Sequence, residues 1–259
     1  MSVDYKVADG IATITLNRPD RYNAINRSLS EGLLDSLQRA GSEGRAAIVT
    51  GAGKGFCSGA DLADLKAGYD SGEGPDLARL LDDVFHPVVH ALVDCSVPTV
   101  GALNGVVAGA GLGLALACDL RVMSEDAYLT SAFTAIGLVP DSGTTWWLTQ
   151  HLGVSRALEI TMTNRRVSAE EAVALGLAME AVPGADLPGR AKEVASDLAD
   201  MVPDSLVTTR RLIREAAVSS FESALDAEQT EQGRLGRTIE HREGVRAFTE
   251  KRKPDFRNL

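Results

Sequence analysis

Cysteine and histidine are scarce: Cys57, Cys95 and Cys118, with His86, His90, His151 and His241, are all that 259 residues offer. Three cysteines cannot all pair and none sits in a CxxC, so buried free thiols are expected rather than a disulfide framework. There is no HExxH. His86 and His90 stand at helical spacing but have no third ligand near them, so no metal site is expected. No apolar run approaches the roughly 18 residues of a membrane span. The opening MSVDYKVADG lacks the basic and apolar regions of a signal peptide, and the cytoplasm is the expected compartment. Positive charge is short as well: 26 Lys and Arg against 36 Asp and Glu leave −10. That balance disfavours a nucleic-acid surface. It still allows a small anionic ligand where Arg18, Arg21, Lys54 and Lys251 converge.

What is present is ordinary globular composition, 44% hydrophobic and 24% charged, enough for one large domain with a smaller appendage. Asp9-Gly10, inside the alternating YKVADGIATITLNRP, predicts a β-hairpin. In NRSLSEGLLDSLQRAG, Leu29, Leu33, Leu34 and Leu37 share a helical face, with Gly41 as the stop. RAAIVTGAG reads as a buried strand and KGFCSGADLADL as a loop passing into a helix, while residues 68–75 (GYDSGEGP) read as a surface loop. Residues 76–94 are helical in pattern, with a kink at Pro87. PTVGALNG and DLRVMS are strands, and SAEEAVALG carries a capping box, Ser168 with Glu171, and Gly176 as its stop. Strand–loop–helix units recur without sequence repeats, which indicates an α/β fold with loops gathered at strand ends. From Pro188 strand signals cease. Helices are expected over 193–215, 221–239 and 242–252, too charged to bury much alone and suited to packing on another subunit.

The stretch NGVVAGAGLGLALACD, residues 104–119, holds four glycines and one charge. Each glycine in a helix interior costs about 1 kcal/mol against alanine, so their use suggests backbone N–H groups that must approach a ligand. GKGFCSGADL has the same design: a strand, small residues, then a helix. Two N–H groups aimed at one point form an oxyanion hole, which stabilises charge developing on a carbonyl oxygen. Nucleotide readings fit less well. In GAGKGF, Lys54 is not followed by Ser or Thr, and GAGLG lacks the GxGxxG spacing.

The segments NRPDRYNAIN, GFCSGADL, LNGVVAGAGLGLALACDL, GLVPDSGTTW and RAFTEKRKPDF occur in the order and spacing of the crotonase (enoyl-CoA hydratase/isomerase) family, and the resemblance covers essentially the whole chain. It implies an α/β fold, a crotonase-like spiral of ββα units over residues 1–190 with a C-terminal helical trimerisation region over 191–259, assembled as a homotrimer or a dimer of trimers. It also implies an acyl-CoA thioester as ligand, the coenzyme being part of the substrate with no separate cofactor. The implied oxyanion donors are the N–H groups of Ala60 and of Ala110, where many relatives carry glycine. Arg21, Ala24, Asp61, Leu62, Gly109 and Lys251 are the implied substrate-binding residues, with Arg18, Arg252 and Lys253 nearby in sequence.

The family pattern breaks at two places. Hydratases of this type use two glutamates to hold water, and the matching positions here are Gly113 and Phe133. Without those carboxylates nothing evident activates water. One acid remains, Asp141 in GLVPDSGTTWW, ahead of a helix start expected at Ser142. A helix N-cap is its bland role. The PDSG motif, however, resembles that of phenylacetate-pathway isomerases, where this aspartate is the proposed acid/base. A single carboxylate suffices to move a proton between two carbons of one acyl chain, so the expected activity is an acyl-CoA isomerase. The alternatives are a hydratase using other groups and a non-catalytic acyl-CoA-binding protein; an aryl-CoA dehalogenase is less favoured. Trp146 and Trp147 read as core or as acyl-pocket wall.

Overall fold

Asp9 and Gly10, with φ of 56° and 75°, turn the chain tightly and join β1 (Val3–Ala8) to β2 (Ile11–Leu16), Ala8 facing Ile11 in antiparallel register. The computed structural model describes residues 1–259 apart from residues 71 and 73 and the side chain of residue 67. The helix α1 (Arg27–Glu43) follows, begun by the Asn26 side chain accepting from the Leu29 N–H. It runs past Gly41 to Gly44, so Gly41 is not the stop expected of it. A Cβ at Gly41 would lie 2.2 Å from Ser96 Oγ, so that glycine makes room for a packing neighbour instead.

From β3 (Ala46–Gly51) onward the chain winds as a spiral. β3, β5 (Thr99–Leu103) and β7 (Leu120–Ser124) are parallel neighbours in a six-stranded sheet ordered β1-β2-β3-β5-β7-β10, where β10 is Glu180–Val182. Each of these three strands passes directly into a strand of a second sheet: β4 (Gly55–Cys57), β6 (Val106–Ala108) and β8 (Tyr128–Thr130), edged by β9 (Val167–Ser168). Helices then lead back to the first sheet. They are α2 (Leu62–Asp70), α3 (Leu77–Leu80) and α4 (His86–Val93) after β4, α5 (Ala110–Ala117) after β6, and α6 (Thr144–Thr163), broken at Gly153, after β8. This is the ββα spiral expected of the fold. The five residues of β5 and the eight of α5 are buried throughout, as continuous apolar runs at the centre of parallel layers require. α7 (Ala169–Ala174) is capped by Ser168 Oγ, which accepts from the Glu171 N–H. The Glu171 carboxylate turns instead to Arg165, so only half of the expected capping box forms.

Four more helices close the chain: α8 (Leu187–Ala199), α9 (Pro203–Ala216), α10 (Phe221–Leu235) and α11 (Ile239–Thr249). α8 lays Leu187, Ala191, Val194 and Ala195 on the outer face of the six-stranded sheet, against Ile11, Ile48, Val100 and Val122. The single helix expected over 193–215 is two, because Pro203 starts a new one; proline is at home in a first turn and not in an interior. The stretch read as a loop at KGFCS contains strand β4, and residues 68–70 of the loop expected over 68–75 belong to α2; residues 71 and 73 of that loop lie outside the described residues. At Pro87 the expected disturbance takes the form of a π turn over Leu81–Phe85. The wider turn accommodates the missing N–H and the ring. Among the described residues no helix is long and apolar enough to cross a membrane, and Cys57, Cys95 and Cys118 are buried and unpaired.

Candidate active site

Where the second sheet's strands end, a cavity of about 520 Å³ opens, with Arg21, Ala24, Ala60, Asp61, Leu62, Gly109, Ala110, Phe133 and Asp141 among its lining residues. Apart from Lys251, every candidate site residue is thus brought to one place.

The first loop is set by a short parallel bridge. The Ile25 N–H donates to Gly59 O at 2.7 Å, and the Asp61 N–H donates to Ile25 O at 3.0 Å. In such a bridge the intervening residue turns its own N–H to the other side, and Ala60 is that residue. Ala110 opens α5, so its N–H has no acceptor within the helix, and α5 adds the positive end of its dipole. The two loops touch main chain to main chain. A Cβ at Gly59 (φ 92°) would lie 3.0 Å from Ala108 O and 3.1 Å from Ala110 N. Gly59 therefore serves twice, since the backbone angle and the close approach both exclude a side chain.

Arg18, outside the lining, secures the same loop. It donates to Ala24 O and, at 2.7 Å, to the carboxylate of buried Asp61. Burial alone would raise the Asp61 pKa, but the Arg18 guanidinium and the Ala63 N–H hold it below the ordinary carboxylate range. Asn23, wholly buried in the left-handed region, donates to Ala52 O and Gly55 O and accepts from the Arg18 N–H. Its neighbours in NRPDRYNAIN are thereby fixed against the first loop.

Asp141 behaves differently. Burial pushes its carboxyl up, against a smaller opposing pull from the Ser142 hydroxyl and a weaker one from His86. The side chain is not a helix cap. It accepts from Ser142 Oγ at 2.8 Å, while Asp141 O takes the Thr144 N–H at 2.8 Å. Helix α6 starts at Thr144 rather than Ser142 because Ser142 (φ 52°) and Gly143 (φ 77°) are both left-handed. Neither place where a hydratase glutamate would stand can supply one. Phe133 lines the cavity with its ring, and a Cβ at Gly113 would sit 2.3 Å from Ser142 O. The turn that carries Asp141 fills the room a side chain at residue 113 would need.

Several expectations land elsewhere. Lys251, exposed and left-handed at φ 54°, lies outside the cavity lining. Arg252 is bound to Glu243 and Glu250, and Lys253 to Asp200. Trp147 is core, edge-on to the partly exposed Trp146 at 4.5 Å, and neither lines the cavity. Sequence reasoning missed Ser142 as the hydrogen-bond partner of Asp141, although PDSG placed the two side by side. It also missed the pairing of Arg18 with Asp61, 43 residues apart.

A ββα spiral with two glycine-rich loops meeting over one acid-bearing cavity defines a class, and comparison gives the class its family. The enoyl-CoA hydratase/isomerase family profile matches residues 6–258, and the chain belongs to that family. It is 38% identical over 255 residues to a Rhodobacter capsulatus protein named "Probable enoyl-CoA hydratase", covering 98% of this chain and 97% of that one. It is 35% identical over 252 residues to the 1,2-epoxyphenylacetyl-CoA isomerase of Escherichia coli, covering 96% of each. Among solved structures, the enoyl-CoA hydratase of Bacillus anthracis superposes with a TM-score of 0.92 at 30% identity over 100% of both chains.

Proposed function

We propose that this enzyme is an acyl-CoA isomerase that moves a double bond, or isomerises a ring-derived CoA thioester, with Asp141 as the acid/base. The observation that carries the reading is the pair of carboxylates lining the cavity. Asp61 is neutralised by Arg18, whereas Asp141 is held in an apolar setting that raises its proton affinity. In the reaction proposed, ionised Asp141 takes a proton from one acyl carbon, leaving a dienolate. The N–H groups of Ala60 and Ala110 receive its negative oxygen, each such donor being worth about 2.7–4 kcal/mol. Asp141, whose carboxyl proton exchanges with solvent, then delivers a proton to another carbon of the same chain, so no water is added to the product. Arg21, Ala24, Asp61, Leu62 and Gly109 border the path for the thioester and pantetheine. Lys251 is assigned to the phosphates of the same or a neighbouring subunit. Apolar side chains exposed on α9 to α11 support assembly, for which the proposed form is a trimer or a dimer of trimers; the proposed compartment is the cytoplasm.

A hydratase is the second reading, motivated by the names of close relatives. The loss of side-chain space at Gly113 and the phenyl ring at Phe133 weigh against it. The test is incubation with a panel of enoyl- and aryl-CoA esters in heavy water, read by mass spectrometry. Deuterium at the acyl α or γ carbon without gain of water is expected. Asp141→Asn should slow exchange at least about 10²-fold, within the range general acid–base catalysis supplies, with CoA-ester binding retained. Near-normal exchange in that variant, or rapid hydration of crotonyl-CoA by the unmodified enzyme, overturns the proposal.

A further inference from the structure

Resting on Asp141 as the acid/base, we propose that Gly113 and Ser142 are the positioning residues that fix its carboxylate relative to the oxyanion donors. The absence of a side chain at residue 113 is thus a requirement of this active site, not only the loss of a hydratase acid. Gly113 lies one helical turn beyond Ala110 on α5. An added Cβ there would stand 2.3 Å from Ser142 O, 2.9 Å from Ser142 Cβ and 3.1 Å from Ser142 C. These are backbone and Cβ atoms that cannot rotate aside. The 141–143 turn is therefore seated directly on the helix whose first N–H serves as an oxyanion donor. Ser142, 2% exposed, adopts φ 52°, which a non-glycine residue tolerates only under local constraint. That conformation brings its hydroxyl to Asp141 Oδ1 at 2.8 Å. One rigid piece, α5, thus carries a donor at its end and the carboxylate's support one turn later.

The hydroxyl also bears on charge. It stabilises the ionised carboxylate, whereas burial favours the protonated one. Among the described residues, the other charged or titratable groups facing Asp141 are His86 from the start of α4, and Arg21 with the Arg18-bound Asp61 across the cavity. None of these replaces a hydrogen bond from the adjacent residue.

The experiment measures isomerisation rate against pH, with deuterium exchange, for Ser142→Ala, Ser142→Gly, Gly113→Ala and Asp141→Asn. Ser142→Gly retains a left-handed turn without strain, so it reports on the hydroxyl even if Ser142→Ala folds poorly. Both Ser142 variants should lower kcat about tenfold, the effect of misaligning one charged hydrogen bond, with KM changed little. In both, the acidic limb of the pH–rate profile should move upward. Gly113→Ala introduces a better helix former yet should lower kcat about 10²-fold, as about 1 Å of displacement at a reacting group does. Unchanged profiles and rates in both Ser142 variants, with Asp141→Asn inactive, overturn the positioning role and leave the acid/base assignment standing. An active Asp141→Asn overturns the assignment itself and the positioning role with it.

Discussion

Arg18 reaches across 43 residues of sequence to place its guanidinium 2.7 Å from the Asp61 carboxylate, immediately after the amide of Ala60. Removing the cation leaves a buried carboxylate with the Ala63 N–H and the weaker pull of the Arg21 charge. Arg18→Met should therefore cost about 2 kcal/mol of stability at pH 7, in the range for a lost hydrogen bond to a charged group. The sign of its pH dependence follows from the lowered Asp61 pKa. The pairing stabilises the fold above the unfolded-state value of about 3.9 and is lost as pH falls through the lower folded-state value. Denaturant unfolding of both proteins at pH 7 and at acid pH should show the gap narrowing below about pH 4; a gap independent of pH would contradict the pairing.

Gly59→Ala tests the contact between the loops. A methyl group there meets Ala108 O and Ala110 N at 3.0 and 3.1 Å from a backbone at φ 92°. The loops must part, and the proposed oxyanion site with them. Turnover should fall about 10²–10³-fold, the loss seen when one donor is removed, while circular dichroism stays native-like. A crystal structure of the variant with unmoved loops and full activity would refute the requirement.

Asp141→Asn should do more than slow the reaction. The folded state holds this carboxyl above its usual pKa, so its contribution is fully present below the unfolded-state value and is lost as pH rises through the folded-state one. At neutral pH, ionisation therefore costs the native protein stability, and the neutral amide escapes that cost. Melting temperature should be higher in the variant at pH 7 and should converge with the parent near pH 3. A variant less stable at pH 7 would argue for a structural carboxylate.

The C-terminal helices predict assembly. Ile213, Phe221 (72% exposed), Leu225, Ile239 and Phe248 (85% exposed) leave α9 to α11 with apolar surface a monomer does not cover. Sedimentation equilibrium should give three or six chain masses, and Phe221→Asp with Phe248→Asp should dissociate the assembly. A monomeric parent protein would refute it.

The glycine loops were legible because they solve a local problem: four glycines in an apolar stretch have few uses other than letting backbone approach something. Asp141 is legible as a candidate through the resemblance of its PDSG motif to that of isomerases, together with the lack of an acid at Gly113 and Phe133, the two positions the family pattern gives to glutamate. What escaped the sequence depends on distance or on backbone angle. Arg18 and Asp61 meet only after the chain has turned through a whole layer of the spiral, and no periodicity ties them. Ser142 in the left-handed region runs against its own propensity and is held there by packing. Gly41 carried every mark of a helix stop, yet a neighbouring serine outside the helix dictated its identity. The break at Pro203 was available in the sequence and was overrun by the charge periodicity on either side of it.

Because the groups proposed to receive the thioester oxygen at residues 60 and 110 are main-chain amides, replacing the residues that bear them would leave that proposed electrophilic half of the reaction in place so long as the loops keep their shape. The proposed proton-handling half hangs on one side chain, Asp141. A lineage can therefore exchange its chemistry by moving a carboxylate around an unchanged cradle, and overall sequence likeness alone is a poor guide to which reaction a member performs.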